Sequence, residues 1–339
     1  MEVAPGIHRI ETPLENRLNC LYLFVGSQRT LLIDSGLGST PGKSLLPYLD
    51  ALGLHSRQIH YVITTHADID HMGGNAAVRT LSPDALFMCH ELDRRMIEDL
   101  ALLIDERYGE FRTAHGIFES TETLAWMHAH AQGTSIDLAL SGNERIHLGS
   151  GWLVEVLHTP GHSRGHLSVA DPRSGSIVVA DAVLGQTLLT QDGRSAFPPI
   201  YRYVDSYLET IQRLQNIPIT PTTALLTSHF PVLRGQDITE FLHESRNFVN
   251  RVEQALIDEL MGSGQAYTMR ELINALSRQL GDWADGTALV NPFQGHLERL
   301  ISNRQVLIGQ RDDLVTFKYC SIPSGSKKRR KTDATTHAT

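Results

Sequence analysis

Four short stretches of this chain concentrate side chains that can hold a divalent ion. The densest is THADIDHMGG, residues 65 to 74, where His66, Asp68, Asp70 and His71 fall within six residues. Imidazole nitrogens and carboxylate oxygens are the usual protein ligands for zinc, and the paired Gly73 and Gly74 permit tight turning and close backbone approach. HTPGHSRGH, residues 158 to 166, follows the strand-like run WLVEVL. Its Pro160 and Gly161 make a sharp turn that presents His162 at the strand end, leaving His158 and His166 for support. Asp181 terminates the apolar run SIVVA, where a carboxylate is costly unless charge-paired or metal-bound. His229, in ALLTSHFPVLRG, again comes directly after a strand-like run. Alone, Asp181 has an even chance of being structural, and a lone His229 is more often a satisfied core histidine. The succession of four elements at strand ends makes both of them ligand candidates.

This order and spacing resembles the metallo-β-lactamase superfamily, whose motif is HxHxDH followed by a later His, an Asp and a final His. The match covers roughly residues 5 to 235. The resemblance implies an α+β chain built as an αββα sandwich, and a metal-dependent hydrolase. It further implies that His66 and His162 serve a first metal, that Asp70, His71 and His229 serve a second, and that Asp181 bridges both. Asp34, in TLLIDSG, matches the acidic residue that supports the metal loop without ligating, and Ala180 stands where many members have glycine. Asp68 is the larger departure, because the family usually has its second histidine there. A shorter, harder oxygen donor adds negative charge to the first site and moves its preference toward Mn or Fe. Direct ligation by Asp68 is the leading expectation, since some members carry an acidic residue there; a supporting role and an incomplete first site stay open.

The expected cofactor is therefore two divalent metal ions, zinc first, with Mn or Fe as alternatives. Two cations about 3.5–4 Å apart bring the pKa of a shared water toward neutrality, supply a bridging hydroxide and polarise the substrate oxygen. Asp70 is the candidate to steer a proton toward the leaving group. No G-x-S-x-G elbow, P-loop or Rossmann glycine pattern asks for other chemistry. Two alternatives within the same fold are a mononuclear Fe(II) persulfide-type dioxygenase using His66, His162 and Asp181, and an endoribonuclease.

The elements that must position these residues are legible in the apolar spacing. Residues 1 to 36 alternate short apolar runs with turn residues and read as antiparallel strands, KSLLPYLDALGL has helical spacing, and HYVITT is a β-branched run leading into the first motif. Residues 91 to 131 read as a helical insert. Its Met96, Leu100, Leu103, Tyr108, Phe111, Phe118, Trp126 and Met127 are available as an apolar lid over an acyl chain, with ordinary helix packing as the plainer alternative. Strands resume through ERIHLG, WLVEVLH, HLSVADP and SIVVADA, which fits an open sheet pair flanked by helices. Beyond His229 come a long helix, a second helix opened by a Thr268 to Glu271 capping box, a third helix and a hairpin, a winged-helix arrangement. The expected division is a catalytic domain over 1–235, a winged-helix domain over 236–320 and a basic tail over 321–339 containing KKRRK.

Composition narrows the substrate class. Over 339 residues, 41% hydrophobic and 20% charged side chains describe a globular chain, and a net charge of −8 argues against a surface dedicated to nucleic acid. Arg299, Asn303, Arg304 and Gln305 of the third helix are diluted by Glu298, Asp312 and Asp313. Only 47 residues separate Asp181 from His229, too few for the extra domain of large RNA-processing members. A small acyl compound, an ester, thioester or lactone, is the expected partner. The N-terminus lacks the features of a secretion signal and no run of about 18 apolar residues occurs, so a cytoplasmic protein without a membrane partner is expected, or a nuclear one if KKRRK is an import signal. Cys20, Cys89 and Cys320 are too widely spaced for a disulfide framework and read as incidental thiols.

Overall fold

Seven strands form a first sheet in chain order: β1 (Glu2–Ala4), β2 (Ile7–Leu14), β3 (Arg17–Val25), β4 (Thr30–Ile33), β5 (Ile59–Ile63), β6 (Leu86–His90) and β7 (Leu138–Leu140). The first four pair antiparallel and the last three join in parallel. A second sheet is built from β8 (Arg145–Gly149), β9 (Trp152–His158), β10 (Leu167–Asp171) and β11 (Ser176–Ala180). After the small hairpin of β12 (Leu188–Leu189) and β13 (Ser195–Phe197), that sheet is completed by β14 (Ala224–Thr227), parallel to β11, and β15 (Leu233–Arg234). The computed structural model describes residues 1–283 and 286–320, so KKRRK lies outside the described residues.

Strand periodicity explains the layering. In β3, Cys20, Tyr22 and Phe24 point into the space between the sheets, where they meet Trp152, Val154 and Val178. Leu21 and Leu23 point the other way, onto the helical layer formed by residues 41 to 131. Both faces are covered, so the strand is a continuous apolar run rather than an alternating one. β11 behaves likewise: Val178 faces the first sheet, while Ile177 and Val179 face the second helical layer. The result is helix, sheet, sheet, helix, the expected sandwich.

The C-terminal stretch contains helices Gln236–Ser263, Met269–Leu280 and Val290–Ser302, followed by β17 (Val306–Arg311) and β18 (Leu314–Tyr319), with the short β16 (Tyr267–Thr268) pairing against β18. The capping box is formed: Thr268 N donates to Glu271 Oε2 at 2.8 Å and Glu271 N donates to Thr268 Oγ1 at 3.3 Å. Phe248, Leu272, Phe293 and Phe317 from these elements share one core with Ile177, Val179 and Ile211 of the second sheet and its helix. No helix among the described residues is long and apolar enough to cross a membrane.

Candidate metal centre

All seven candidate ligands sit just beyond strand ends on one rim of the sandwich. β5 runs out at Ile63, and three residues later His66 begins the turn into the short helix Ile69–Met72, for which Asp68 is the N-terminal flank. His162 lies in the turn after β9, Asp181 directly after β11, and His229 two residues after β14. Gly73 and Gly74 have negative φ, so close approach rather than a left-handed turn explains them. A Cβ on Gly74 would stand 2.3 Å from the Ser35 carbonyl oxygen, and one on Gly73 would stand 2.5 Å from that of His130. Ala180, in the expected glycine position, does adopt the left-handed region, at φ 43°. That costs an alanine about 1–2 kcal/mol and turns the chain so that Asp181 faces the centre.

The chain brings the seven residues into three overlapping groups, each with ligand atoms all within 4.8 Å of one another: His66, Asp68 and His162; Asp70, His71 and His229; and His66, His71 and Asp181. Each imidazole is aimed by its Nδ1. His71 donates to Asp34 Oδ2 at 2.8 Å, His162 to the Ile200 carbonyl at 2.6 Å, His229 to the Leu18 carbonyl at 2.9 Å, and His66 contacts Thr65 Oγ1 at 3.0 Å. The four Nε2 atoms therefore carry the free lone pairs and converge. His66 Nε2, His71 Nε2 and Asp181 Oδ1 are buried without a hydrogen-bond partner. Orphaned buried acceptors of this kind fit a divalent cation.

The electrostatics point the same way. Burial, reinforced by the neighbouring His71, pushes His66 well below the ordinary histidine pKa and keeps it a neutral ligand. For His71, burial opposes protonation, but Asp181, Asp34 and Asp70 outweigh it and raise its pKa well above the ordinary value. An acidic surround that favours an imidazolium also favours a cation.

Several residues besides the seven candidate ligands complete the centre. Asp93, fully buried, accepts from Ser163 Oγ at 2.7 Å, Gly165 N at 2.8 Å and Ala67 N at 3.4 Å, which ties the His66 loop to the His162 loop. His166 accepts from Asp181 N at 3.3 Å and stacks on His66. Arg107 donates to both oxygens of Asp68, through Nε to Oδ1 and through Nη2 to Oδ2 at 2.7 Å, and its Nη2 lies 2.9 Å from His162 Nε2. Tyr108 OH donates to Asp68 Oδ1 at 3.1 Å. Burial disfavours charge on Asp68, yet the adjacent Arg107 guanidinium outweighs it and holds the carboxyl well below the usual range.

Asp68 and Arg107 border a cavity of about 430 Å³. Of the eight apolar insert residues, Tyr108, Phe111 and Phe118 line it. Leu103 and Met127 are buried in the adjoining core with Met96, Leu100 and Trp126 packed against them, so most of the proposed lid is ordinary helix packing. The wall also includes Ile117, the polar run Glu119, Ser120 and Thr123, then Phe197 and Ile200, and on the C-terminal side Arg270, Thr287, Ala288, Val290 and Asn291. A larger cleft of about 710 Å³ around Arg79 and His130 contains none of the seven candidate ligands.

Comparison with known proteins gives a consistent picture. The family model described as Metallo-beta-lactamase superfamily matches residues 18–221. The uncharacterized protein YobT of Bacillus subtilis is 29% identical over 168 residues, 49% of this chain and 61% of that protein, so the chain spans less than two thirds of it. Human acyl-coenzyme A thioesterase MBLAC2 is 27% identical over 214 residues, 59% of this chain and 67% of the enzyme. In fold, the crystal structure of metallo-beta-lactamase family protein TTHA1429 from Thermus thermophilus superposes with a TM-score of 0.73 at 21% identity, covering 94% of this chain and all (100%) of that one.

Proposed function

This chain belongs to the metallo-beta-lactamase superfamily, and from that premise we propose that it is a metal-dependent hydrolase of small acyl compounds, with thioesters first among them. The observation that carries this reading is the cavity beside Asp68, at the edge of the ligand cluster, whose wall joins an apolar side of Phe111, Ile117, Phe118, Phe197, Ile200 and Val290 to polar groups that include Arg107 and Arg270. An acyl chain packs against Phe111, Phe118, Phe197 and Val290, and its carbonyl then lies at the ligand rim. Similarity to a protein named as an acyl-coenzyme A thioesterase supports the same substrate class.

Asp70, His71, His229 and Asp181 would hold a divalent ion. A divalent ion there supplies a water of near-neutral pKa and a Lewis acid for the acyl carbonyl. Asp34, His166 and the Leu18 carbonyl fix the ligands' orientations, and the apolar cavity wall limits competing water. Asp70 is the ligand assigned to carry a proton toward the departing thiolate.

We read residues 236–320 as a winged-helix module that closes the substrate cavity. Three helices and a hairpin support the assignment, and Arg270, Ala288 and Val290 supply one cavity wall. Nucleic-acid contact has less support, because Arg299 of the third helix is turned to Glu253 at 3.3 Å and Asp205 at 3.6 Å. The test is turnover on a panel of acyl thioesters of graded chain length, a lactone and a single-stranded RNA. Thioester or lactone hydrolysis abolished by Asp70→Ala is expected; RNA cleavage alone, or turnover that survives Asp70→Ala, overturns the reading.

A further inference from the structure

The two halves of the ligand cluster are not built alike. Around His71 and His229 the ligand atoms stand apart: His71 Nε2 lies 3.9 Å from Asp70 Oδ2 and 3.7 Å from Asp181 Oδ2, and His229 Nε2 lies 3.6 Å and 3.1 Å from the same two oxygens. Two atoms each about 2.0–2.2 Å from a tetrahedral ion are separated by about 3.3–3.6 Å, a spacing that these four distances bracket, with His229 and Asp181 the closest pair. In the other half, His66 Nε2 keeps 3.3 Å from Asp68 Oδ2, but His162 Nε2 closes to 2.8 Å of the same oxygen. His162 gives its Nδ1 proton to Ile200, so its Nε2 is an acceptor, and the ionised Asp68 oxygen is another. Two acceptors at hydrogen-bond distance require a shared positive partner. Arg107 Nη2, 2.7 Å from one and 2.9 Å from the other, is that partner.

We propose that the Arg107 guanidinium is the resident cation of the first half, holding Asp68 out of coordination, so that the chain carries one divalent ion, held by Asp70, His71, His229 and Asp181. The proposal rests on the metal-dependent reading above. Its chemistry is direct: Arg107 uses the Asp68 and His162 lone pairs that a first ion would need, leaving only that of His66 on this side. Its planar fork matches a carboxylate, and one positive charge already neutralises Asp68. A second dication among these atoms would also meet the guanidinium at close range in a buried site, where like charges repel strongly.

The insert is shaped to deliver this side chain. Arg107 lies in Ile104–Tyr108, a widened helical turn of the π type, a form that often marks functional positions. The next residue, Tyr108, adds its own hydrogen bond to Asp68 and accepts from Ile69 N at 3.3 Å. Asp68 and Arg107 both border the cavity, so a fixed organic cation faces the substrate where related proteins with the full histidine motif would place an ion.

The experiment is metal stoichiometry of the full chain, stripped with chelator and titrated with Zn²⁺ and Co²⁺, read by elemental analysis after desalting and by Co²⁺ absorbance. Wild type is expected to hold one equivalent per chain, Arg107→Ala two, and Asp68→Asn still one. Two equivalents in wild type, or one in a folded Arg107→Ala, overturns the proposal and leaves the hydrolase reading intact. Loss of the single equivalent in Asp68→Asn would make Asp68 a ligand and also overturns it. If Arg107→Ala fails to fold, Arg107→Lys, which keeps a charge but cannot span both oxygens, is expected to show weak uptake of a second equivalent; its absence counts against the proposal. No ion in wild type or any variant overturns the metal-dependent reading itself.

Discussion

The Asp34 carboxylate joins His71 to the strand that precedes the metal loop: Oδ2 accepts from His71 Nδ1 at 2.8 Å while Oδ1 accepts from Thr65 N at 2.7 Å. Asp34 itself sits in the left-handed region, at φ 62°, which Asp and Asn tolerate better than most residues. Asp34→Asn should therefore keep the backbone but lose the charge that orients and strengthens His71 as a ligand. Metal affinity is expected to fall by about 10- to 100-fold, measured by competition with a chromogenic chelator; unchanged affinity would remove Asp34 from the centre's support.

Gly74 is pressed against the Ser35 carbonyl, where an added Cβ would come within 2.3 Å. The Ser35 backbone on one side and the Pro41 ring on the other leave little relief. Gly74→Ala is expected to destabilise the chain by about 1–3 kcal/mol, the usual range for overpacking a tight site, and to weaken metal uptake with it, because the same turn carries His71. Urea denaturation of the chelator-treated protein separates the two effects.

Ala288 lines the cavity from the C-terminal side. Ala288→Phe should narrow the space available to an acyl chain without touching a ligand. KM for long-chain thioesters is expected to rise about tenfold, a change of roughly 1.4 kcal/mol, with short-chain substrates little affected. Equal losses across chain lengths would show that this wall does not meet the acyl group.

Arg202, nearly buried, is gripped by Glu298 through two hydrogen bonds of 2.8 and 2.7 Å and by Glu110 at 2.8 Å. Partial burial raises the Glu298 pKa, but the hydrogen bonds from Arg202 and Gln294 outweigh it and leave the carboxyl below its ordinary value. A carboxylate depressed on folding contributes stability that is present above its unfolded pKa of about 4.3 and is lost as pH falls through the lower folded value. Glu298→Gln should thus lower Tm at neutral pH by no more than about 2–4 °C, since the carboxylate is half exposed, and the difference from wild type should vanish in acid. A constant difference across pH would assign the effect to packing instead.

The sequence disclosed the chemistry of this centre better than its electrostatic balance. His66, Asp68, Asp70 and His71 stand out because four ligand types follow a β-branched strand, and the sandwich is legible because strands buried on both faces read as apolar runs. Arg107 is different. In ELDRRMIEDLALLIDERYGEFR nothing distinguishes it from Arg94, Arg95 or Arg112, and only the path of the insert brings it to Asp68. Asp93 is hidden in the same way, since its partners Ser163 and Gly165 are some seventy positions away along the chain. The apolar residues of the insert were legible as helix formers but not by destination, because helical spacing says which residues share a face and not what that face meets.

The anchoring of His162 also bears on when, during synthesis, this centre can be assembled. Its Nδ1 is held by the Ile200 carbonyl, Arg202 N bonds back to Gly161, and Arg202 in turn is gripped by Glu298 near the far end of the chain. A nascent polypeptide that has left the ribosome only as far as residue 235 already contains all seven candidate ligands, yet neither the helix that steadies this strap nor the partners for the exposed face of its second sheet. Such an intermediate would hold the ligand side chains loosely and offer them to whichever ion is abundant. Firm placement of His162 would then wait on the segment around Glu298, and the C-terminal helices would bear on when the ligand set is fixed.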